Sequence, residues 1–387
     1  MGAEFANQRE HRLAYEAQQK MDHKAYRACR DLLQPYLADH EHPAPTLFLL
    51  LARAQTELGQ KRAALATYSR AAAIYPNNAL ILRNYAVISQ EMGRLSQAAR
   101  LFEQSYAHGG SAELLYFAGA AWFEAQAYSR AARAVSRLIN KTNKVKTNWV
   151  ELLVYSLVRN KQWKQAEPRV QTLLARRTDD SDLWQLLAHV RSQQGNILGA
   201  ATALQVAYSL NEPGKMKWRD LAGMYAAAGV PLMAANAMHK GLNQEPGPED
   251  CWRMGRYYAD ALRIEKAVQW MDKALNQKDD PEWQMEKAYF LYVHGRYAQC
   301  REAALQAAGT GSKQGEAWML AGYAAWQEQN WLEAKSAFAQ AKKREQTAVR
   351  AASCLQSVQQ ILDSEQKIRM LEMQTGESDR KNVSATG

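Results

Sequence analysis

Few side chains in this 387-residue chain have the types and spacing that metal binding or catalysis requires. Two histidines separated by one residue could bind a metal through their ring nitrogens, and His40-Glu41-His42 is such a pair around a carboxylate. We interpret this triplet as a polar loop between two helical units. His189 lies within a helical stretch, and we expect a surface role for it rather than a ligand role. We therefore predict no metal and no cofactor.

Acidic residues also occur in runs that could suggest acid–base catalysis. Asp179-Asp180 and Asp279-Asp280 each come just before a predicted helix, where a carboxylate caps free backbone N–H groups and interacts favourably with the helix dipole. Acid–base catalysis needs both groups in one pocket, whereas the turns of a helical repeat lie outside its groove. The chain has no GxSxG, Walker, GxGxxG or HExxH motif. The sequence predicts no catalytic residues and a protein that is not an enzyme.

The elements that would have to position such groups belong to an internal repeat. Gly59 and Gly93 lie 34 residues apart, and Ala52 and Ala86 share that spacing. Tryptophan recurs at intervals of 35, 34 and 34 residues, at Trp149, Trp184, Trp218 and Trp252. A fixed period of this length is typical of stacked helical units. Alanine-rich runs favour helix, so we predict an all-α fold.

Within one period, the order of residue types resembles the signature of the tetratricopeptide repeat. The signature runs large apolar, Leu, small, turn Gly, small, aromatic, Ala and Pro, and the matching residues are Phe48, Leu51, Ala52, Gly59, Ala64, Tyr68, Ala71 and Pro76. Small residues let the two helices of a hairpin cross closely, and glycine ends the first helix in left-handed backbone. The resemblance implies a solenoid of about ten hairpins, with the first helix of each, helix A, on the concave side.

We predict five segments along the chain. They are a cloning junction at 1–5, an N-terminal hairpin at 6–44, a tetratricopeptide array at 45–344, a C-terminal helix at 345–373 and a disordered tail at 374–387. We expect one continuous array, with 141–146 as the place for a bend. A native signal peptide could have preceded residue 6. No stretch reaches the roughly 18 to 20 apolar residues of a membrane-spanning helix.

The chain is basic, with a formal charge of +10 and an isoelectric point of about 9.3. Such a chain could meet nucleic acid, anionic lipid or an acidic protein surface. The basic residues concentrate at 137–146, 159–177 and 342–350, without the motif of a nucleic-acid-binding module. We interpret the excess charge as a solvated surface and predict no nucleic-acid partner.

The four cysteines are far apart and form no CxxC pair; they are Cys29, Cys251, Cys300 and Cys354. This spacing predicts neither a zinc site nor a disulfide framework. Cys300 occupies a position where the repeat requires a small residue at a helix crossing, so packing explains it.

Six residues are candidates for binding a protein partner on the concave face, because they fall on predicted A helices. They are Arg83, Gln185, His189, Arg219, Tyr323 and Trp326. Tyr323 and Trp326 could anchor a peptide through their aromatic rings. A clamp for a peptide carboxylate would need Lys and Asn at set positions on three successive A helices. Only Asn84 matches that pattern, so we do not predict such a clamp.

One segment narrows the resemblance to a more specific family. Trp218, Leu221, Ala222 and Tyr225 are followed by Gly229-Val230-Pro231. This segment resembles the tetratricopeptide proteins of bacterial TonB systems, which are encoded beside TonB, ExbB and ExbD, and the resemblance extends over 149–358. It implies a periplasmic protein that helps the ExbB–ExbD–TonB complex deliver energy to outer-membrane transporters. Association with that membrane complex would need no spanning segment in this chain.

Three functional hypotheses follow. The first is the periplasmic scaffold of TonB-dependent transport. The alternative is a cytoplasmic tetratricopeptide adaptor that binds a peptide in its concave groove and serves complex assembly or regulation. The third, prompted by the charge, is an RNA-processing helical repeat, and we rank it below the other two.

Overall fold

The computed structural model describes residues 8–310 and 313–384, and over these residues its regular secondary structure is helical throughout. Its contacts divide the chain into two compact units, Met1–Asn211 and Glu212–Gly387. The boundary between the units does not fall at 141–146, and the single continuous array stays a prediction. The all-α prediction is confirmed.

Unit 1 consists of six helical hairpins in its described part. They pair α1 (Gln8–Asp22) with α2 (Tyr26–Asp39), α3 (Pro45–Glu57) with α4 (Lys61–Ile74), α5 (Ala79–Glu91) with α6 (Leu95–Ala107), α7 (Leu114–Glu124) with α8 (Tyr128–Asn140), α9 (Thr147–Arg159) with α10 (Trp163–Leu174), and α11 (Ser181–Gln193) with α12 (Ile197–Leu210). Buried clusters join each hairpin to the next, so the apolar face of one hairpin is covered by its neighbour.

Unit 2 consists of four hairpins and a final helix in its described part. They are α13 (Lys215–Ala227) with α14 (Pro231–Gly241), α15 (Pro248–Asp260) with α16 (Ile264–Leu275), α17 (Pro281–Val293) with α18 (Tyr297–Thr310), α19 (Gln314–Gln327) with α20 (Trp331–Lys342), and α21 (Ala348–Ser384). The described chain thus holds ten hairpins, as the repeat period predicts.

The two helices of each hairpin cross at small residues. The crossing position of the second helix carries eight alanines and two cysteines with no exposed surface: Cys29, Ala64, Ala98, Ala131, Ala166, Ala200, Ala234, Ala267, Cys300 and Ala334. On the first helix of its hairpin, a Cβ atom added to Gly322 would lie 2.5 Å from the ring of Phe338. Helices that approach this closely leave no room for larger side chains, and Cys300 fills a small position as predicted.

Every hairpin turn contains one residue with left-handed backbone. Five are glycines with φ of 71° to 78°, namely Gly59, Gly93, Gly195, Gly229 and Gly295. The other five have φ of 56° to 58° and carry side chains, namely Lys24, Gln126, Lys161, Leu262 and Gln329. Left-handed backbone is therefore a requirement of every hairpin turn. The turn glycine of the sequence signature meets it without strain, and half of the hairpins meet it with a strained residue that carries a side chain.

The last helix differs from its predicted extent. We predicted a helix at 345–373 and a disordered tail from 374, whereas α21 continues to Ser384. No proline interrupts this segment, and one glycine costs a helix only about 1 kcal/mol, so backbone hydrogen bonding can continue. Residues 385–387 and the predicted cloning junction at 1–5 lie outside the described residues.

Membrane association can be checked against helix length and hydropathy. Among the described helices, none combines the length and the apolar composition that crossing a bilayer requires.

The strained turn at Leu262 yields a stability prediction. Leu262 is 70% exposed, so replacing it with glycine removes little packing while relieving roughly 1 to 2 kcal/mol of left-handed strain. After the larger chain entropy of glycine in the unfolded state, we expect Leu262→Gly to raise the free energy of unfolding by roughly 0.5 to 1 kcal/mol. Urea denaturation measures the change.

Gly229→Ala is the matched control in the opposite direction. A Cβ atom at Gly229 would meet no atom within 4 Å, so the substitution adds only backbone strain and should lower the stability by about 1 kcal/mol. Unchanged stability in both variants would show that the left-handed turns carry no strain.

Candidate functional site

An open cavity lies between the first helices of two neighbouring hairpins in unit 1. Its volume is about 320 Å³, and α3 and α5 form its walls. Leu80, Asn84 and Val87 contribute from α5 because residues three and four apart share one face of a helix. Leu49 and Arg53 contribute from α3. The cavity therefore combines apolar walls with a few polar groups, which is the usual composition of a binding site.

Tyr68, from α4, also lines this cavity. Burial raises the pKa of Tyr68 to about 12, although the charge of Arg53 and a hydrogen bond with Asn84 act in the opposite direction. The hydroxyl consequently stays protonated at neutral pH. Arg53 is exposed and has no ion-pair partner among the described residues, so its guanidinium is available to an anionic group of a ligand.

Exposed apolar side chains extend this surface along unit 1. They stand on the first helices of three successive hairpins and are 42% to 50% exposed: Leu80 and Val87 on α5, Phe117 on α7 and Tyr155 on α9. We call these four residues the helix-A face of unit 1. Single exposed apolar residues are common on soluble proteins, but a series on one repeated helix face indicates an interaction surface.

Three of the six predicted partner-binding residues remain predictions. Arg83 is exposed on α5 but does not line the cavity, because neighbouring residues of a helix point about 100° apart. Gln185 donates a hydrogen bond from Nε2 to Ser181 Oγ at 3.3 Å. His189 is exposed, and its ring packs edge-on against Trp163 at 5.5 Å.

Arg219 has its donors engaged within the protein. Its Nε donates to the backbone oxygen of Gly241 at 3.0 Å, and its Nη2 donates to Asp250 Oδ2 at 2.7 Å. The side chain thus joins α13 to the end of α14 and to the beginning of α15. The next hairpin thus brings an acidic partner to Arg219, and the role of Arg219 in partner binding stays a prediction.

Tyr323 and Trp326 are partly buried by the chain itself. Both pack into a buried cluster with residues of α21, including Ala351 and Val358, which have no exposed surface. The Trp326 ring lies 5.7 Å from that of Trp331, whose Nε1 donates to Glu365 Oε1 of α21 at 2.8 Å. Both side chains remain only partly buried, and their role as peptide anchors stays a prediction.

The sequence reasoning missed Leu80, Val87 and Tyr155. They could have been found from the sequence, because they are apolar residues at positions that the repeat does not use for its core. They were not found because any apolar residue on a predicted helix is first interpreted as part of the core.

The His40 ring and the three buried cysteines take part in packing. The His40 ring stacks on Tyr36 with 3.8 Å between ring centroids, and its Nδ1 lies 2.8 Å from the Tyr36 backbone oxygen. Over the described parts of the chain, no group of three His, Cys, Asp or Glu side chains could hold a metal. The four cysteines are free thiols, and burial raises the pKa of Cys300 to about 12.

Comparison with known proteins supports the fold at one hairpin. A family model described as the tetratricopeptide repeat matches residues 45–78, the hairpin of α3 and α4. No curated protein matches the chain. The hairpins with their small crossings and left-handed turns, together with this match, identify the fold as a tetratricopeptide repeat solenoid.

Solved structures give weaker likenesses. A tetratricopeptide repeat protein from Parabacteroides merdae ATCC 43184 is 18% identical, with 61% of this chain and 93% of that chain covered and a TM-score of 0.37. MamA from Desulfovibrio magneticus RS-1 is 21% identical, covering 42% and 92%, with a TM-score of 0.34. The tetratricopeptide domain of P58(IPK) is 11% identical, covering 92% and 99%, with a TM-score of 0.28. TM-scores this low carry no argument about function.

The engaged donors of Arg219 yield a second stability prediction. Arg219→Ala leaves the Asp250 carboxylate and the Gly241 carbonyl without these donors, so we expect the free energy of unfolding to fall by about 1 to 3 kcal/mol. Urea denaturation measures the fall, and a double-mutant cycle with Asp250→Ala should give a coupling energy above about 0.5 kcal/mol.

Arg83→Ala provides the matched control, because Arg83 is exposed and surface substitutions change stability by less than about 0.5 kcal/mol. Equal stability losses in the Arg219 and Arg83 variants would contradict the structural role of Arg219.

Proposed function

We propose that this protein is a scaffold that binds a segment of a partner protein on the helix-A face of unit 1. The repeat fold supports a protein-interaction role in general. The observation that supports this location is the cavity between α3 and α5, with Leu80 and Val87 exposed at its wall. An apolar side chain of the partner would enter this cavity and displace water from both walls.

The charge of unit 1 favours an acidic partner segment. Residues 1–211 contain 26 Lys and Arg against 17 Asp and Glu, whereas residues 212–387 contain 23 against 22. Nine of the ten net positive charges therefore lie in the unit that carries the cavity. Such a field attracts acidic segments during association. At the cavity itself, Arg53 stands beside Glu57 and Glu91, and Glu91 is paired with Lys61.

For the cellular role, we propose a periplasmic accessory component of a TonB-dependent transport system that binds a periplasmic domain of TonB or ExbD. The support is the sequence resemblance around Gly229-Val230-Pro231. Turn geometry also accounts for two of these residues, because Gly229 has a φ of +73° and Pro231 is the first residue of α14. A cytoplasmic adaptor that uses the same surface is the alternative.

A matched pair of variants tests the helix-A face of unit 1. Val87→Glu places a charge on the apolar wall, and we expect it to weaken binding to a purified TonB or ExbD periplasmic domain at least tenfold, about 1.4 kcal/mol. Val206→Glu is the control, because Val206 has a similar exposure and lies on α12, a second helix. Calorimetry measures both affinities.

Two outcomes distinguish a failure of the proposed binding face from a failure of the proposed TonB or ExbD partner. Equal affinities for the two variants would reject the helix-A face. If neither domain binds the wild-type protein, the TonB proposal fails, and peptides selected from a displayed library on the wild-type protein then test the face itself through Val87→Glu.

The cellular location has a separate test. We expect the product of the native gene to appear in the periplasmic fraction of its cells, with a secretion signal removed from its N-terminus. Fractionation followed by N-terminal sequencing measures this. Recovery in the cytoplasmic fraction with an intact start would favour the adaptor over the TonB-system component.

A further inference from the structure

The basic residues of unit 1 concentrate in one part of the chain. Residues 124–169 contain ten Lys and Arg against three Asp and Glu, which accounts for seven of the nine net positive charges of unit 1. Two of the three carboxylates are paired with arginines outside this stretch, Glu151 with Arg177 at 2.7 Å and Glu167 with Arg191 at 2.8 Å. The stretch therefore keeps a strong local excess of positive charge.

The basic side chains of this stretch face solvent. All ten are exposed. Lys146 is paired with Glu113, and the other nine have no ion-pair partner among the described residues. The remaining carboxylate of the stretch belongs to Glu124, the last residue of α7. One carboxylate does not neutralise nine cations, so this charge is open to an anionic partner.

Four of the nine form a stripe along α8. Arg130, Arg133, Arg137 and Lys141 follow the spacing i, i+3, i+7 and i+11, which places them on one face of a helix. Lys141 caps the end of α8 in helical backbone, so the stripe continues to it. At 1.5 Å per residue the stripe is about 16 Å long. Lys144 follows it in the connection to α9.

The turn between α9 and α10 brings a second basic group to the beginning of this stripe. Arg159 donates from Nη2 to the Tyr128 hydroxyl at 3.0 Å, and Tyr128 is the first residue of α8. Lys161 and Lys164 belong to the same turn and to the start of α10. We call the four residues of the stripe, Lys144 and these three basic residues the basic face.

The fold gains little from the basic face. Arg133 and Arg137 lie four residues apart, as do Arg137 and Lys141, and like charges at this spacing destabilise a helix. The side chains of Arg133, Lys141 and Lys144 make no hydrogen bond, ion pair or aromatic contact with the described residues. A partner that supplies negative charge would remove this repulsion.

The composition of the basic face argues against a protein partner and against single-stranded nucleic acid. Protein interfaces have an apolar core, whereas no large apolar side chain of α8 or α10 is exposed. Single-stranded nucleic acids stack on exposed rings. The guanidinium of Arg130 lies 4.7 Å from the centre of the buried Trp122 ring, and that of Arg159 lies 5.3 Å from the centre of the Tyr128 ring. The arginines therefore occupy the ring faces that bases would need.

A bilayer with anionic headgroups needs neither an apolar core nor stacking rings. Each Lys or Arg close to its surface strengthens adsorption through charge alone. We propose that the basic face of unit 1 binds the anionic surface of a lipid bilayer, with its side chains in contact with the phosphate groups. This contact uses none of the residues of the helix-A face, and it does not depend on the identity of the protein partner.

Cosedimentation of the full chain with lipid vesicles tests the proposal. One set of vesicles contains phosphatidylcholine alone, and the other contains equal parts of phosphatidylcholine and phosphatidylglycerol. We expect at least about tenfold tighter binding to the anionic vesicles, and we expect this binding to weaken as salt rises because salt screens the charges. Equal affinity for the two sets, or no binding to either, would overturn the proposal.

A triple variant, Arg133→Gln with Lys141→Gln and Lys144→Gln, tests the face itself. Each cation near an anionic membrane strengthens binding about fivefold, so we expect the variant to bind anionic vesicles at least about tenfold more weakly. The three side chains make no contact that the fold needs, so the Tm should equal or exceed that of the wild type. Unchanged vesicle binding by the folded variant would overturn the assignment.

The matched control is Arg12→Gln with Arg27→Gln and Arg62→Gln. These three arginines are exposed residues of unit 1 on α1, α2 and α4, so the control loses the same charge outside the basic face. We expect its affinity for anionic vesicles to change by less than about twofold, because salt screens distant charges. Equal losses in the two triple variants would show a general charge effect and would overturn the site.

Two polymers test the other anionic partners, poly(U) RNA and polyglutamate. With affinities expressed per negative charge at one ionic strength, we expect the anionic vesicles to bind more tightly than either polymer. Tighter binding of a polymer that the basic-face variant loses would assign the face to that polymer and would overturn the lipid proposal. Val87→Glu should bind vesicles as the wild type does, which distinguishes a failure of the basic face from a failure of the helix-A face.

Discussion

The two helices of each hairpin cross where neither carries a bulky side chain, and the rest of the structure depends on this close approach. At Gly322 there is no space for even one more carbon atom beside Phe338. Dispersion contacts are strongest at such separations, and larger residues would force the helices apart. The close approach also depends on the left-handed residue in each turn, because this residue ends the first helix and turns the chain back toward it.

This constraint determines which side chains are free for binding. On each first helix, the residues that face the second helix form the crossing. The residues that face away from it can therefore vary without loss of the hairpin. In unit 1 those positions carry Leu80, Val87, Phe117 and Tyr155, which stay exposed. In unit 2 the last hairpin carries Tyr323 and Trp326, which pack against a cluster shared with α21 and are partly buried. The same repeat thus leaves a face open in one place and uses it for packing in another.

Polar groups inside the repeats fall into two kinds. Glu10 is buried, but its Oε1 accepts a hydrogen bond from the Ala44 backbone N–H at 3.0 Å, which holds the segment before α3. Arg219 similarly joins three helices through its donors. Gln284 differs from both, because its buried oxygen has no partner among the described residues.

The sequence by itself determined the helical class, the period and the small residues at the crossings. These features are local, since a hairpin has the same internal requirements wherever it occurs, as Ala64 and Cys300 show. Only the tertiary structure decided which predicted side chains are free. Arg219 and Trp326 occupy repeat positions whose counterparts in other hairpins are exposed. Asp250 from the next hairpin nevertheless pairs with Arg219, and α21 packs against Trp326. Such partners lie some 30 residues away in the sequence, and no periodic pattern specifies them.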